Sequence, residues 1–332
     1  MNIAVLGDGA WGSAIAHLLS NNNHSVTLWG PFPDYIMKMQ KNHSNPRFLP
    51  DIKFPAKLKI SSDLKTTVNN SEILVLGLPS QYIRKLIIDF KPFFNANKHI
   101  IVNLAKGIEN HSLKRISQIV EEILGDVKYS VLSGPSHAEE VFLKVPTAVV
   151  ASSKCNETVE IVQKAFINNT FRVYSSHDPV GVELGGALKN VYAIAAGISD
   201  GMNLGDNTKA ALLTRSIAEM SRLGKILGGN FETFAGLSGI GDLIVTCYSK
   251  HSRNRFVGEK LGSGKTLNEV LEELNMSVAE GVKTTKSVYQ LAKKHNISTP
   301  IIDELYTILY DNKDPRKSII DLMTRDATKE IY

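Results

Sequence analysis

A glycine-rich turn close to the N-terminus constrains the fold of this chain more than any other feature of its sequence. The segment reads Gly7-Asp-Gly9-Ala-Trp-Gly12, a G-x-G-x-x-G pattern that follows the strand-like residues 3–6 and opens a helical pattern. The first glycine allows a tight turn, the second lets the backbone approach a pyrophosphate, and the third lets the helix pack on the strand. The positive N-terminus of the helix would hold that pyrophosphate. An ordinary glycine-rich turn is the alternative, but the strand-turn-helix context favours dinucleotide binding.

The residues that usually select between NAD and NADP are missing from their expected place. An NAD-specific site generally has Asp or Glu about 20 residues further on, at the end of the second strand, where it binds the ribose 2′-OH. Here that region reads Thr27-Leu28-Trp29-Gly30, with neither an acid nor an arginine, and Asp34 follows only after two prolines. We therefore expect both NAD(H) and NADP(H) to be used, with a selectivity within about a hundredfold.

Strand-like and helical segments alternate through the first half of the chain, and helical segments alone follow. Several of the strand-like runs are apolar on both faces, as parallel strands covered by helices must be. These runs are residues 3–6, 26–29, 73–78, 100–104, 130–132, 148–151 and 172–174. From about Asp178 onward the pattern has only a helical period. It predicts an α/β Rossmann-type domain with a doubly wound parallel sheet over residues 1–178, and an all-α domain over residues 179–332.

Composition argues against several classes of protein. The chain is 43% hydrophobic and 21% charged, as in ordinary globular proteins. The net charge of +5 includes no basic run longer than Lys293-Lys294, which argues against a nucleic-acid-binding protein. No run approaches about 18 apolar residues, so we expect no membrane span. Two cysteines, Cys155 and Cys247, and an N-terminus without a signal-peptide pattern predict a cytoplasmic location. No metal-ligand spacing is present, so no metal site is predicted.

A lysine stands in a glycine-rich segment at the start of the second domain, Glu183-Leu-Gly185-Gly186-Ala-Leu-Lys189-Asn190. In a helix, Gly185 and Gly186 are neighbours of Lys189 on the same face, and most of that face is small. Such a face leaves room for a ligand beside the lysine. Alternatively, a second helix packs closely there and the lysine extends to solvent. The spacing leaves both interpretations open.

Two later segments carry polar groups in patterns that suit a binding site. The first, residues 236–243, is dense in glycine and contains one carboxylate, Asp242, although a tight turn would explain it equally well. The second, Ser252-Arg253-Asn254-Arg255, places hydrogen-bond donors before the helical residues 256–261. Donors of this kind at a helix start can bind a phosphate, whereas simple solvation of the surface is the alternative.

Taken together, these segments resemble the bacterial NAD(P)-dependent glycerol-3-phosphate dehydrogenases over nearly the whole chain. Beside the motifs above, the resemblance rests on residues 45–50 (NPRFLP), 103–107 (NLAKG), 132–136 (LSGPS), 205–209 (GDNTK), 239–248 and 278–281 (VAEG). It implies a Rossmann domain followed by a helical domain, commonly as a homodimer. It also implies interconversion of dihydroxyacetone phosphate and sn-glycerol 3-phosphate, which supplies the glycerophospholipid backbone.

The resemblance also implies roles for individual residues. Lys189 matches the proton acceptor, and Lys106 and Asp242 are the other expected catalytic residues. The positions implied to contact the substrate are Lys106, Gly134, Ser136, Lys189, Asp242, Ser252, Arg253 and Asn254. Those implied to contact the cofactor are Gly7, Gly9, Ala10, Trp11, Gly12, Gly30, Lys106, Ala138, Arg253, Val278 and Glu280. His137 is given no role.

The sequence departs from the family pattern at two places, and two other functions are compatible with parts of it. Ala10 stands where serine is frequent, and Gly30-Pro31 replaces a polar or basic residue. A related dehydrogenase with a catalytic lysine, of the β-hydroxyacid or 6-phosphogluconate type, would share much of this layout. A non-catalytic dinucleotide sensor would share the glycine motif but would have no need of Lys189 and Asp242.

Overall fold

The computed structural model describes residues 1–274, 278–327 and 329–330. Its strands are β1 (Asn2–Leu6), β2 (Ser25–Trp29), β3 (Ser44–Asn45), β4 (Leu49–Lys53), β5 (Lys59–Ser61), β6 (Ile73–Leu76), β7 (Ile100–Asn103), β8 (Tyr129–Ser133), β9 (Thr147–Ser152) and β10 (Phe171–Ser176). Its first seven helices are α1 (Ala10–Asn21), α2 (Pro33–Asn42), α3 (Leu64–Asn69), α4 (Ile83–Phe90), α5 (Ile116–Leu124), α6 (Ala138–Phe142) and α7 (Asn156–Phe166). The remainder are α8 (Pro179–Gly201), α9 (Gly205–Ile226), α10 (Phe231–Phe234), α11 (Asp242–Tyr248), α12 (Arg253–Gly262), α13 (Leu267–Glu273), α14 (Glu280–Lys294), α15 (Pro300–Tyr310) and α16 (Pro315–Met323).

Eight strands form one sheet in the order β10-β9-β8-β7-β6-β1-β2-β5, while β3 and β4 pair separately. The sheet is parallel from β5 to β8, but β9 and β10 run in the opposite direction. All seven predicted strands are present. Strands alternate their side chains between two apolar layers, so that Val5 and Val75 lie in one cluster and Leu6 and Leu76 in the other. The strand order reverses between β1 and β6, and nucleotides bind in the crevice at such a switch point.

The second domain is built around the 23-residue helix α8. Asp178 caps its first turn, because the carboxylate accepts a hydrogen bond from Gly181 N at 2.9 Å. Glycines let α12 approach α8 at backbone distance: a Cβ added to Gly197 would lie 2.0 Å from Arg255 O, and one added to Gly258 would lie 1.9 Å from Ile194 O. The helix is therefore held rigidly along most of its length.

Contacts across the junction fix α8 against the Rossmann-type sheet. The buried carboxylate of Glu183 accepts hydrogen bonds from Arg115 Nη1 and Tyr129 OH, both at 2.6 Å, and from Ser117 N at 2.8 Å. Strand β10 ends at Ser176 and α8 begins at Pro179, and no strand follows β10 in the part of the chain that the structure describes. None of the described helices is both long and apolar enough to cross a membrane.

Candidate active site

The glycine turn after β1 has the geometry that a bound pyrophosphate requires. Gly7 has φ +138°, and a Cβ there would lie 2.6 Å from the carbonyl carbon of Gly77, while a Cβ on Gly12 would lie 1.9 Å from Gly7 O. Both positions therefore exclude a side chain. By contrast, a Cβ on Gly9 would meet no described atom within 4 Å. Gly9 precedes α1 and no described side chain caps that helix, so its first N–H groups remain available to an anion.

One buried carboxylate binds two lysines at the junction of the domains. Asp242 Oδ2 lies 2.5 Å from Lys106 Nζ, and Asp242 Oδ1 lies 2.8 Å from Lys189 Nζ. The side chain of Asp242 is 1% exposed, and those of Lys106 and Lys189 are 13% and 9% exposed. Lys106 follows β7, Lys189 lies on α8 and Asp242 begins α11, so three separate elements are needed to assemble the group.

Burial and the neighbouring opposite charges shift the pKa values of Lys106 and Asp242 in opposite directions. Burial lowers the pKa of Lys106 to about 8, because it outweighs the attraction of the Asp242 carboxylate, and the charge of Lys189 lowers it further. Burial alone would raise the pKa of Asp242, but the two neighbouring ammonium groups bring that pKa below its ordinary value. A carboxylate held ionised beside a lysine that titrates near neutrality is typical of acid–base sites.

Lys189 is fixed by α11 as well as by Asp242. Its Nζ donates a hydrogen bond to Thr246 Oγ1 at 2.9 Å, and Thr246 Oγ1 donates in turn to the backbone oxygen of Asp242 at 2.6 Å. The small face beside Lys189 is filled by protein. A Cβ on Gly185 would lie 2.4 Å from Ser238 O, and one on Gly186 would lie 2.7 Å from Ser133 Oγ. The glycines therefore serve close packing, yet Lys189 faces the cleft rather than extending to bulk solvent.

The predicted donor cluster lies at the start of α12, as the sequence indicated. Ser252 caps the helix by accepting a hydrogen bond from Arg255 N at 3.2 Å. Asn254 joins three elements, since its amide donates to Asn190 Oδ1 at 2.8 Å and accepts from Gly281 N at 2.9 Å. Arg253 is exposed and forms no hydrogen bond or ion pair with the described residues. Its guanidinium is the member of the cluster best placed to bind an anion.

Glu280 lies opposite this cluster, at the start of α14. Its Oε1 accepts a hydrogen bond from Ser80 N at 2.7 Å, which links the helical domain to the segment after β6. Burial raises the pKa of Glu280, and the hydrogen bond from Ser80 and the charges of Arg253 and Lys189 oppose the rise. Glu280 therefore adds a buried polar group to the same cleft as Lys189 and Arg253.

These parts meet around a single cleft of about 290 Å³ between the two domains. The predicted residues that line it are Ala10, Trp11, Lys106, Ser136, Ala138, Lys189, Ser252, Arg253, Asn254, Val278 and Glu280. Two others lie just behind its wall: Asp242 beneath the lysines, and Gly134, whose carbonyl accepts a hydrogen bond from Lys106 Nζ at 2.9 Å. Gly30 lies apart from them, at the end of β2. No group of three His, Cys, Asp or Glu residues suited to a metal occurs in the described parts of the chain.

Several residues that sequence reasoning did not assign also contribute to the site. Thr246 accepts a hydrogen bond from Lys189, and Asn190 accepts one from Asn254. Asn190 directly follows Lys189, and Thr246 lies one helical turn after Asp242. His137 and His251 line the cleft with ring centroids 5.8 Å apart, and His137 Nε2 is buried without a described hydrogen-bond partner. Asp8 lies beside Gly30, where the sequence showed no acid.

Comparison with known proteins gives the family. Residues 2–159 and 178–320 match the family models of the NAD-dependent glycerol-3-phosphate dehydrogenase N-terminus and C-terminus. The chain belongs to the NAD-dependent glycerol-3-phosphate dehydrogenase family. It is 48% identical to the glycerol-3-phosphate dehydrogenase [NAD(P)+] of Chlorobium phaeobacteroides (strain BS1) over 100% of this chain and 99% of that protein. The corresponding protein of Bacillus subtilis (strain 168) is 46% identical, over 99% and 96%.

Solved structures agree with this family and with the predicted fold class. A crystal structure of glycerol-3-phosphate dehydrogenase from Coxiella burnetii matches with a TM-score of 0.94 and 38% identity, covering 98% of this chain and 99% of that one. The predicted Rossmann-type domain followed by a helical domain is thus confirmed.

Proposed function

We propose that this chain catalyses the NAD(P)H-dependent interconversion of dihydroxyacetone phosphate and sn-glycerol 3-phosphate. The observation that carries the proposal is the pair of lysines on one buried carboxylate, between a dinucleotide turn and an anion-binding helix start. Membership of the glycerol-3-phosphate dehydrogenase family supports the same reaction. When bound, the nicotinamide ring supplies the hydride to C2 of the ketone or accepts it from the alcohol.

Lys189 exchanges the proton of the C2 oxygen in this proposal. Its Nζ lies in the cleft and is oriented by Asp242 and Thr246. In the direction of ketone reduction the ammonium donates its proton to the C2 oxygen, and in the direction of alcohol oxidation the neutral amine accepts that proton. Lys106 stands beside it with a pKa of about 8 and supplies a second positive charge near the oxygen. Asp242 positions both lysines, and its carboxylate compensates the positive charge that they bring into the buried site.

The substrate's phosphate would bind at the start of α12. Arg253 presents an exposed guanidinium there, and Ser252 and Asn254 supply a hydroxyl and an amide. Binding this remote group fixes C2 relative to Lys189, which turns binding energy into correct geometry at the reacting carbon.

The turn after β1 would hold the dinucleotide. Gly9 leaves its backbone open to the pyrophosphate, and the N–H groups at the start of α1 face the same space. The cleft that contains Lys106 and Lys189 is also lined by Ala10, Trp11, Ala138, Val278 and Glu280.

Steady-state rates with a panel of small ketones test the proposal. We expect dihydroxyacetone phosphate to give the highest kcat/KM, well above unphosphorylated dihydroxyacetone and above β-keto acids. A β-keto acid or 6-phosphogluconate as the better substrate would assign the chain to another lysine-dependent dehydrogenase. Tight dinucleotide binding without turnover of any of them would indicate a sensor.

We also infer three further properties. The family resemblance implies assembly as a homodimer, and the low cysteine content predicts a location in the cytoplasm. The change from alternating strands and helices to helices alone predicts a domain boundary between residues 178 and 179. The boundary is supported by the change from strand β10 to helix α8 at that point. Size-exclusion chromatography with light scattering tests the first of the three.

A further inference from the structure

The end of β2 lacks the acidic side chain that commonly binds the adenosine ribose, and another residue fills the vacant space. In Rossmann domains that acid binds the ribose 2′-OH of NAD, whereas a nearby arginine accommodates the 2′-phosphate of NADP. Here β2 ends at Trp29, and Gly30, Pro31, Phe32 and Pro33 follow. None of these four can present a charge, and the two prolines have no backbone N–H to donate.

The carboxylate of Asp8 occupies the position of a side chain at residue 30. A Cβ built on Gly30 would lie 2.4 Å from Asp8 Oδ2 and 2.5 Å from Asp8 Cγ. Asp8 belongs to the glycine turn, between Gly7 and Gly9, so its carboxylate reaches the end of β2 from the neighbouring strand β1. The two strands pair in parallel up to Leu6 and Trp29, which brings the residues that follow them together.

Asp8 is held in place by its backbone, and its buried carboxylate forms no hydrogen bond with another described side chain. The amide of Asn45 donates hydrogen bonds to the backbone oxygen of Asp8 at 2.7 Å and to Ser13 Oγ at 2.8 Å, which anchors the turn. The Asp8 side chain forms no ion pair with a described residue, and Asp8 is only 8% exposed. Burial raises the pKa of this carboxylate above its ordinary value, and a hydrogen bond from its own backbone and the charge of Arg47 oppose the rise without cancelling it.

We propose that Asp8 makes this chain prefer NADH over NADPH, by supplying from the glycine turn the acid that the end of β2 lacks. The inference rests on the proposed function, because it concerns the coenzyme of the same cleft. A carboxylate at this point accepts hydrogen bonds from the ribose hydroxyls. The 2′-phosphate of NADPH carries nearly two negative charges and would be repelled. The sequence alone led us to expect little selectivity, since Asp8 and Gly30 are 22 positions apart along the chain.

Arg47 is the residue that could oppose this preference. It is exposed, its guanidinium carbon lies 5.3 Å from the Phe48 ring centroid, and it acts electrostatically on Asp8. If its guanidinium bound the 2′-phosphate, NADPH would be favoured despite Asp8. The nearly buried carboxylate is the closer of the two to residue 30, so we expect its repulsion to dominate.

Dissociation constants of NADH and NADPH, measured by nicotinamide fluorescence without any ketone, test the proposal. We expect the unmodified chain to bind NADH at least about a hundredfold more tightly than NADPH. In Asp8→Asn, which keeps the shape and removes the charge, NADPH binding should tighten by about tenfold or more. NADH binding should weaken by less than about tenfold, because the amide oxygen still accepts a hydrogen bond from the ribose. The matched control Asp34→Asn removes an exposed carboxylate in the first turn of α2 and should leave the ratio unchanged.

Equal affinities in the unmodified chain, or a preference for NADPH, would overturn the proposal without any variant. An unchanged ratio in Asp8→Asn would overturn it as well, because the preference would then come from other residues. Since no ketone is present, failure to reduce dihydroxyacetone phosphate would count against the proposed function and leave this measurement intact.

Discussion

Replacing Asp242 by asparagine tests whether one buried carboxylate holds both lysines of the cleft. The change keeps the shape of the side chain and removes its charge. Lys106 Nζ and Lys189 Nζ, now 2.5 Å and 2.8 Å from carboxylate oxygens, would then face a neutral amide. Asp200 offers a matched control on α8, because its carboxylate also bridges two cations, Lys209 at 2.9 Å and Arg255 at 2.7 Å.

The two substitutions should differ because the two carboxylates differ in burial. Asp242 is 1% exposed, and removing one partner of a fully buried ion pair costs about 3–5 kcal/mol, since the remaining charge is uncompensated. Asp200 is 22% exposed, so water replaces part of the lost interaction and we expect a cost of about 1–2 kcal/mol.

Urea unfolding and steady-state kinetics of the two variants give the comparison. Asp242→Asn should lower the free energy of unfolding. It should also lower kcat by about a hundredfold, because the two lysines would move by about 1 Å from their positions in the cleft. Asp200→Asn should keep kcat within about twofold, as it lies outside the cleft. Equal losses of stability in the two variants, or full kcat in Asp242→Asn, would mean that Asp242 does not hold the two lysines in place.

Three further changes test other parts of the site. Arg253→Lys should raise the barrier measured by kcat/KM for dihydroxyacetone phosphate by about 1–2 kcal/mol, because lysine cannot make paired bonds to a phosphate. A desolvated arginine would give a larger loss, but Arg253 is exposed. The loss should be much smaller for unphosphorylated dihydroxyacetone, and equal losses would mean that Arg253 supports the cofactor or the fold. The pKa of Lys106 is about 8 in the folded chain and 10.5 ordinarily. Between these two pH values the unfolded chain therefore binds more protons than the folded chain does. Stability should therefore rise through that window by up to about 1.4 kcal/mol per pH unit, and urea unfolding of Lys106→Met should show a smaller rise. Gly9→Ala should weaken NADH binding by about tenfold or more, because the new methyl group would occupy the space of the pyrophosphate. The melting temperature should change little, since a Cβ at Gly9 meets no described atom within 4 Å. A clear loss of stability would contradict an open turn.

The sequence was sufficient for the parts of the fold that rest on strong local patterns. The glycine turn and the doubly apolar strands β1, β6 and β7 predicted the Rossmann-type sheet, because burial on both faces leaves a continuous apolar run. Strand β5 was missed because it has three residues and only one of them, Ile60, is buried. The reversed direction of β9 was missed for another reason: strand direction is set by the connections and leaves no trace in composition.

The sequence predicted the site only where functional side chains stand at a recognisable position in a helix. The donor cluster lies at a helix start as expected, but α12 begins at Arg253, three residues before the predicted run 256–261, and Ser252 is its N-cap. The small face beside Lys189 was open to two interpretations, and only the structure shows that Ser238 and Lys106 pack against it. The approach of Asp8 to Gly30 depends on how two parallel strands align, which no local pattern encodes.

We assign the proton exchange at C2 to Lys189, and the turnover rate of Lys189→Met is the direct measure of that role. Methionine preserves most of the volume of the buried stem but has no proton to give. We expect kcat with dihydroxyacetone phosphate to fall by about a hundredfold or more while the dissociation constant of NADH changes little. A variant that keeps most of its kcat would contradict the claim and would point to Lys106 as the proton carrier.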